Sequence, residues 1–244
     1  MVTVILNGYK RPHALSLQLE AVKSQTLPAT NIMMWQNKGG EFNSDLVNST
    51  QHASCNSNLG VWARFSYALN AQTPYICILD DDTIPGSKWL ENCYNTIQHY
   101  DGLLGTIGVK YKSDSAYFPN NRVGWANPNE NTEQVDIVGH SWFFKREWLS
   151  TYWRELPEIG QSNLVGEDIH FSYTLQKYLN KSTFVPPHPL NDVEMWGSKP
   201  DTANSLGNGP DKVGISQSPE MFDLFNNVYS FYIKKGFKTL KNSI

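Results

Sequence analysis

One stretch limits what this chain can become. Tyr75-Ile76-Cys77-Ile78-Leu79 is a run of apolar and β-favouring residues that leads straight into Asp80-Asp81-Asp82-Thr83-Ile84-Pro85. Uninterrupted hydrophobicity of that length predicts a strand covered on both faces, as in a sheet flanked by helices. Three adjacent carboxylates at its end repel one another. A divalent cation cancels that repulsion, and hard cations such as Mg2+ and Mn2+ take oxygen ligands. In open α/β sheets, ligands sit beyond the carboxyl ends of the strands, where these aspartates fall. The same residues also suit a solvated acidic turn before a helix starting near Gly86-Ser87.

With 244 residues, 40% of them hydrophobic, the chain can bury one sizeable core, which fits one α/β domain. A net charge of -3 leaves no basic excess to neutralise phosphates, so no nucleic-acid partner is expected. Cys55, Cys77 and Cys93 cannot all pair with one another and lack metal-like spacing, which predicts a reducing, cytoplasmic setting. The start, Met1 to Leu6, has neither the basic residues nor the apolar length of a signal peptide. Nowhere do about eighteen apolar residues run together, so no membrane span is expected.

In chain order, Val2 to Leu6 read as a strand ending at Asn7-Gly8-Tyr9-Lys10-Arg11-Pro12, and Leu15, Leu19 and Val22 mark the helix after it. Asn31 to Trp35 make a second strand, so the opening is a parallel, right-handed unit. Residues 41–58 read as a polar loop. Asn58-Leu59-Gly60 leads to a helix bearing Trp62, Arg64, Phe65 and Leu69. Beyond the aspartates, Trp89, Cys93 and Ile97 line a helix, and Leu103 to Val109 form a strand. Residues 112–133 read as a surface excursion. Val135 to Val138 resume the sheet, and Gly139-His140-Ser141 is expected to break it. Gly166-Glu167-Asp168 opens a helix whose acidic first turn suits the helix dipole. Residues 191–217 are irregular and read as a lid. Ser218-Pro219 starts a final helix with Met221, Phe222, Phe225, Val228, Tyr229 and Tyr232 on its apolar side.

This order of strand, polar loop, strand, Asn loop, Arg-bearing helix and strand with Asp-x-Asp resembles the GT-A glycosyltransferases that use nucleotide sugars. The resemblance is to the family 2-like or exostosin-like branches, and more distantly to glycosyltransferases of large algal viruses. The pieces that carry it are Asn7-Gly8-Tyr9-Lys10-Arg11, Gln36-Asn37, Asn58-Leu59-Gly60 with Arg64, Asp80-Asp81-Asp82 and Gly166-Glu167-Asp168. It implies an α/β GT-A fold, with a Rossmann-like mixed central sheet flanked by helices in one domain over residues 1–244. Within that domain the nucleotide-binding half covers about 1–110, the acceptor-side half about 111–218 and the last helix about 219–237.

It also implies a sugar donor carrying a nucleoside diphosphate (a UDP-sugar), a hydroxyl acceptor on a glycan or glycoconjugate, and Mn2+ or Mg2+ as cofactor. By the same resemblance Asp82 binds the metal with Asp80, while Asp80 and Asp81 border the ribose. Asn7, Gly8, Tyr9, Arg11, Asn37, Asn58 and Arg64 border the nucleotide, the arginines suiting its phosphates. For a transfer that inverts the anomeric centre Asp168 is the general base, with Glu167 as the fallback, and the stereochemical outcome is left open. A histidine from a C-terminal loop completes the metal shell in several such enzymes, and His188 holds the matching place. His140 is expected near the donor sugar or acceptor, and Trp142 and Trp196 as stacking platforms.

Three other readings use the same residues. Ile78 to Ile84 also resembles the first motif of haloacid-dehalogenase-type phosphohydrolases, although two strand-helix units precede it here. A nucleotidyltransferase shares the topology, yet would want more than the single glycine of Asn7-Gly8-Tyr9-Lys10. A non-catalytic sugar-nucleotide-binding module would keep the fold without turnover.

Overall fold

The computed structural model describes residues 1–39, 44–125, 127–157, 162–200, 202 and 219–242. Its first strand, β1 (Val2–Gly8), is buried along its whole length. That explains its mostly apolar pattern, because a strand covered on both faces has no polar side to show; the hydroxyl of Thr3 is paired with that of Thr73. A helix, α1 (Pro12–Lys23), starts on a proline and buries Ala14, Leu15, Gln18, Leu19 and Val22. The chain then returns as β2 (Asn31–Gln36), parallel to β1.

A short helix α2 (Ser44–Asn48) and a strand β3 (Gln51–Ser54) follow, inside the stretch expected to be a loop. β3 is an edge strand of sequence Gln-His-Ala-Ser, and none of its residues is buried. An edge strand needs little apolar character, so its sequence carries no strand signal. A 3-10 turn at Gly60–Trp62 and α3 (Ala63–Tyr67) lead to β4 (Tyr75–Leu79), parallel to β1 on its other side. α4 (Trp89–Tyr100) buries Trp89, Cys93 and Ile97, as its spacing predicts.

The second half makes the sheet mixed. β5 (Leu103–Tyr111) carries β6 (Asn120–Gly124) as an antiparallel neighbour, so the expected surface excursion contains a polar strand. β7 (Glu133–Val135) precedes β8 (Ile137–Lys145), which lies antiparallel between β4 and β5. Here the structure corrects the sequence reading. Gly139-His140-Ser141 does not interrupt the sheet; the ladder with β5 shifts register between Gly105 and Ile107, and β8 continues through it.

After α5 (Leu149–Tyr152), α6 (Glu167–Leu179) and β9 (Thr183–Val185), the last helix α7 (Phe222–Lys234) buries Val228, Tyr229 and Tyr232. The nine strands form one sheet in the order β3-β2-β1-β4-β8-β5-β9-β7, with β6 on β5. One large cluster packs α1, α3, α4 and α6 on this sheet, and a second joins β5, α6 and α7 through Val109, Tyr111, Ile169, Tyr173 and Tyr229. Among the described residues no helix is long and apolar enough to cross a membrane. All three cysteines are unpaired.

Candidate active site

The acidic turn hangs from the carboxyl end of β4, and neighbouring elements fix it from both sides. From α1, the Gln18 side-chain amide donates to the backbone carbonyls of Asp80 (2.6 Å) and Thr83 (2.7 Å). From β8, the His140 carbonyl accepts from the Asp80 backbone N–H (3.0 Å) and the Thr83 hydroxyl (2.9 Å). Gln18 is fully buried, and at Thr83 the accepting carbonyl is sealed from water as well. Replacing it as Gln18→Leu should cost about 1–3 kcal/mol for each stranded carbonyl and weaken nucleotide binding by loosening the turn. A urea midpoint and a UDP titration equal to the parent's would refute that coupling.

Each carboxylate of the turn has a different neighbour. Asp80 accepts a hydrogen bond from Arg64 Nη1, and the Arg64 Nη2 reaches across 2.7 Å to Glu167 Oε1 on α6. Asp81 accepts from Arg11 Nη1, whose same nitrogen lies 3.6 Å from Asp82. Asp82 also lies 3.8 Å from His140 Nδ1. One guanidinium therefore joins the end of β4 to the start of α6. Arg64 is almost wholly buried, with the Trp142 ring 4.6 Å from its charge.

Burial dominates the electrostatics. Desolvation pushes the Asp80 carboxyl up while Arg64 pulls it back. The same opposition, burial upward and a guanidinium downward, acts on Asp81 with Arg11 and on Glu167 with Arg64. Asp168 is pushed up to about 6, again by burial, against hydrogen bonds from the backbone N–H of Ile169 and its own N–H.

His140 is the residue whose place the sequence least reveals. Its φ is +64°, a left-handed backbone that side-chain-bearing residues seldom adopt inside a strand. The register shift provides it, as bulges do when they turn a side chain toward a site. The ring stacks on Trp125, centroids 5.9 Å apart. Single ligand atoms of Asp80, Asp82 and His140 all lie within 4.8 Å of one another. Two carboxylate oxygens and an imidazole nitrogen that close form a donor set that fits Mn2+, and Mg2+ less well.

Polar atoms left without partners gather here too. Asn7 Oδ1, Arg11 Nε, Arg64 Nε, Asp81 Oδ2, His140 Nδ1, Trp125 Nε1 and Trp142 Nε1 are buried with no hydrogen-bond partner among the described residues. Buried polar atoms are nearly always satisfied, so such a gathering marks a place prepared for something else. Asn7 belongs to it by register: Leu6 pairs with Leu79, which sets Asn7 beside Asp80.

Other expected site residues are differently employed. Asn37 Oδ1 accepts from Trp35 Nε1 and from the Leu59 N–H (both 3.1 Å), and its own N–H donates to the Gly8 carbonyl (2.9 Å). Asn58 Oδ1 accepts the Gly60 N–H at 2.9 Å. Both asparagines thus shape the loops that bring Arg64 into place. Tyr9 and Lys10 lie on the rim, the Lys10 ammonium 5.1 Å from the Tyr9 ring centre. His188 does not join the carboxylates. It is fully buried, its Nδ1 bonds to the Pro186 carbonyl and its Nε2 accepts from the Gly197 N–H, with Trp89 and Trp196 against its ring. Trp142 and Trp196 are likewise buried in packing and offer no open stacking face. The expected lid, residues 191–217, lies outside the described residues from 203 onward.

A mixed sheet whose parallel half ends in an acidic turn, with an arginine tying that turn to a second acidic pair, defines a GT-A fold. Residues 55–159 match the family "Glycosyl transferase family 2", the first of the two expected branches. The chain is thus a GT-A-fold protein, family 2-like over that stretch.

Among solved structures, TarS from S. aureus in complex with UDP is 14% identical with a TM-score of 0.55, over 77% of this chain and 58% of that one. A mannosyltransferase from Pyrobaculum calidifontis in complex with GDP-Man and Mn2+ is 17% identical, TM-score 0.52, over 95% and 69%. A nucleotidyl transferase from Methanothermobacter thermautotroptrophicus is 9% identical, TM-score 0.51, over 97% and 99%. Likeness at these identities shows the fold alone. No curated protein sequence matches the chain.

Proposed function

We propose that the protein is a metal-dependent glycosyltransferase. It moves a sugar from a nucleoside diphosphate donor, a UDP-sugar, to a hydroxyl of a glycan or glycoconjugate. The observation that carries this reading is the approach of Asp80, Asp82 and His140 to within reach of a single cation, next to an arginine bridge leading to Glu167 and the start of α6. The family 2 match over residues 55–159 supports it. So do the UDP held by TarS and the GDP-Man and Mn2+ held by the mannosyltransferase, both of this fold. A nucleotidyl transferase shares the fold as well, but β1 ends here in Asn7-Gly8-Tyr9-Lys10, with a single glycine for a phosphate loop. The whole chain would act as one domain, its first half holding the nucleotide and its second the acceptor. Three unpaired cysteines suit a cytoplasmic setting.

Asp80, Asp82 and His140 would hold the cation. When bound there, a divalent cation offsets the negative charge that builds on a departing diphosphate. Arg11 keeps Asp81 turned inward, leaving Asp82 to face the ligand. Asn7 brings an unpartnered carbonyl beside Asp80, where a nucleoside donor group can meet it. Arg64 holds Glu167 in an ion pair, so Glu167 acts as a positioning group. That leaves Asp168, whose side chain accepts only from backbone N–H groups, those of Ile169 and of its own residue, among the described residues, to take the proton of the acceptor hydroxyl.

The pH dependence follows from burial. Burial lets Asp168 keep its proton up to about pH 6, and a general base works only when ionised. The rate should therefore climb as pH rises through about 6 and level off above it. Asp168→Asn should remove that limb and lower transfer by about 10²–10⁴-fold while UDP affinity stays within twofold. Transfer at the parent rate in Asp168→Asn would take the base role from this residue.

A further inference from the structure

The face of the sheet that α6 covers carries, besides Asp168, a half-buried cation without an ion-pair partner among the described residues, Arg122. Arg122 lies on β6 directly opposite Val109 of β5. Cross-strand partners share a face of the sheet, and Val109 packs with Tyr111, Tyr117, Val165 and Ile169. Arg122 therefore leaves the sheet on the face where α6 begins and where Asp168 stands. It is half-buried, and among the described residues it makes no hydrogen bond or ion pair.

Tyr111 and Tyr117 pack in the cluster that includes Val109, the strand partner of Arg122, and Ile169, the neighbour of Asp168. The Tyr111 hydroxyl is buried without a partner. Tyr117 packs with Val109 and Ile169, and its phenol, raised by burial, feels both charges, Asp168 upward and Arg122 downward. Opposite charges on one half-buried face attract each other. Among the described residues the two make no ion pair, although they stand on the same face of the sheet.

We propose that Arg122 is a specificity-determining residue: it binds an anionic group, a carboxylate or phosphate, on the acceptor whose hydroxyl rests on Asp168. This rests on the glycosyltransferase reading above. Strand order argues against a role on the donor diphosphate. From β4, which carries the aspartates, the sheet runs through β8 and β5 to β6. Three strand spacings are about 14 Å, too far for a diphosphate held at Asp82 and enough for a sugar ring between. A guanidinium also suits the task, since its planar fork meets carboxylate and phosphate oxygens in pairs.

The test uses the full chain saturated with UDP and Mg2+, so that the donor phosphate site is filled. Glucose 6-phosphate, glucuronate and glucose are then titrated calorimetrically. At least one charged sugar should bind tenfold or more tighter than glucose, and which one does so separates phosphate from carboxylate. Arg122→Gln should erase that preference and leave UDP affinity within twofold, while Arg122→Lys should restore part of it. The proposal is overturned if charged and neutral sugars bind alike, or if the preference survives Arg122→Gln. Equal loss of UDP affinity in Arg122→Gln would also overturn it, by moving Arg122 to the donor. A parent protein that does not bind UDP at all would overturn the transferase reading, and this proposal with it.

Discussion

Asp82→Ala should lose Mn2+-dependent UDP binding and transfer while the protein stays as stable as the parent, or becomes slightly more so. A cation at such a site stabilises departing charge by several kcal/mol, so the expected loss of activity is on the order of a thousandfold. The stability forecast comes from the neighbours. Among the described residues Asp82 has only long charge contacts, 3.6 Å to Arg11 and 3.8 Å to His140, and it adds to the repulsion within the turn. Its removal leaves no buried partner stranded. Asp81→Ala is the contrast, because it strips Arg11 of its closest acceptor in a buried setting and should destabilise the fold. Calorimetry with UDP, with and without Mn2+, and a urea midpoint on both variants read the two effects separately. Undiminished Mn2+-dependent UDP binding in Asp82→Ala would remove the metal from this turn and take the transferase reading with it.

Strands and helices that the sequence made legible are those whose burial writes itself into composition. β1 is mostly apolar and β4 wholly built of apolar and aromatic residues because both faces are covered, and α4 shows its core side in Trp89, Cys93 and Ile97. β3 and β6 escaped because they are polar, and their pairing is dictated by β2 and β5 rather than by their own residues. The acidic turn was legible for a related reason, since stacked charge after a buried strand has no structural benefit. His140 was only half legible. Its residues are surrounded by an apolar run, but a bulge and a left-handed backbone cannot be read from periodicity, and without them the ring would not face Asp82. His188 looked well placed because linear position says nothing about whether both ring nitrogens are already engaged.

Side chains that work through others were the hardest to find. Gln18 sits mid-helix, where a polar residue normally marks the solvated face, yet it is fully buried under the turn it holds. Asn37 and Asn58 were expected at the nucleotide, and their hydrogen bonds instead fix the loop before Arg64. In each case the residue type was informative and its partner was not, because the partner lies in a distant part of the chain. The site is therefore built in three layers: carboxylates on β4, backbone supports from α1 and β8, and the guanidinium that reaches α6.

That guanidinium should be the most costly single side chain to remove. Arg64→Met keeps the length and apolar stem but deletes the only described cation in contact with Asp80 and Glu167. Both carboxylates would then be left in a low-dielectric recess without a partner, a change that costs about 3–5 kcal/mol when one member of a buried pair is lost. The fold would have to protonate them, admit water or let α6 pull away from β4. The sign of the pH response follows. Protonation relieves the stranded charges, so Arg64→Met should recover stability as pH falls, the reverse of ordinary acid denaturation. Adding Glu167→Gln and Asp80→Asn to Arg64→Met should recover much of the loss, because neutral amides tolerate burial better than unpaired carboxylates. The measurement is a set of urea midpoints across pH 5 to 8, set up as a cycle so that coupling is separated from side-chain loss. If Arg64→Met unfolds at the parent midpoint, or if the amide substitutions fail to rescue it, the bridge between β4 and α6 does not hold the two acidic sites together.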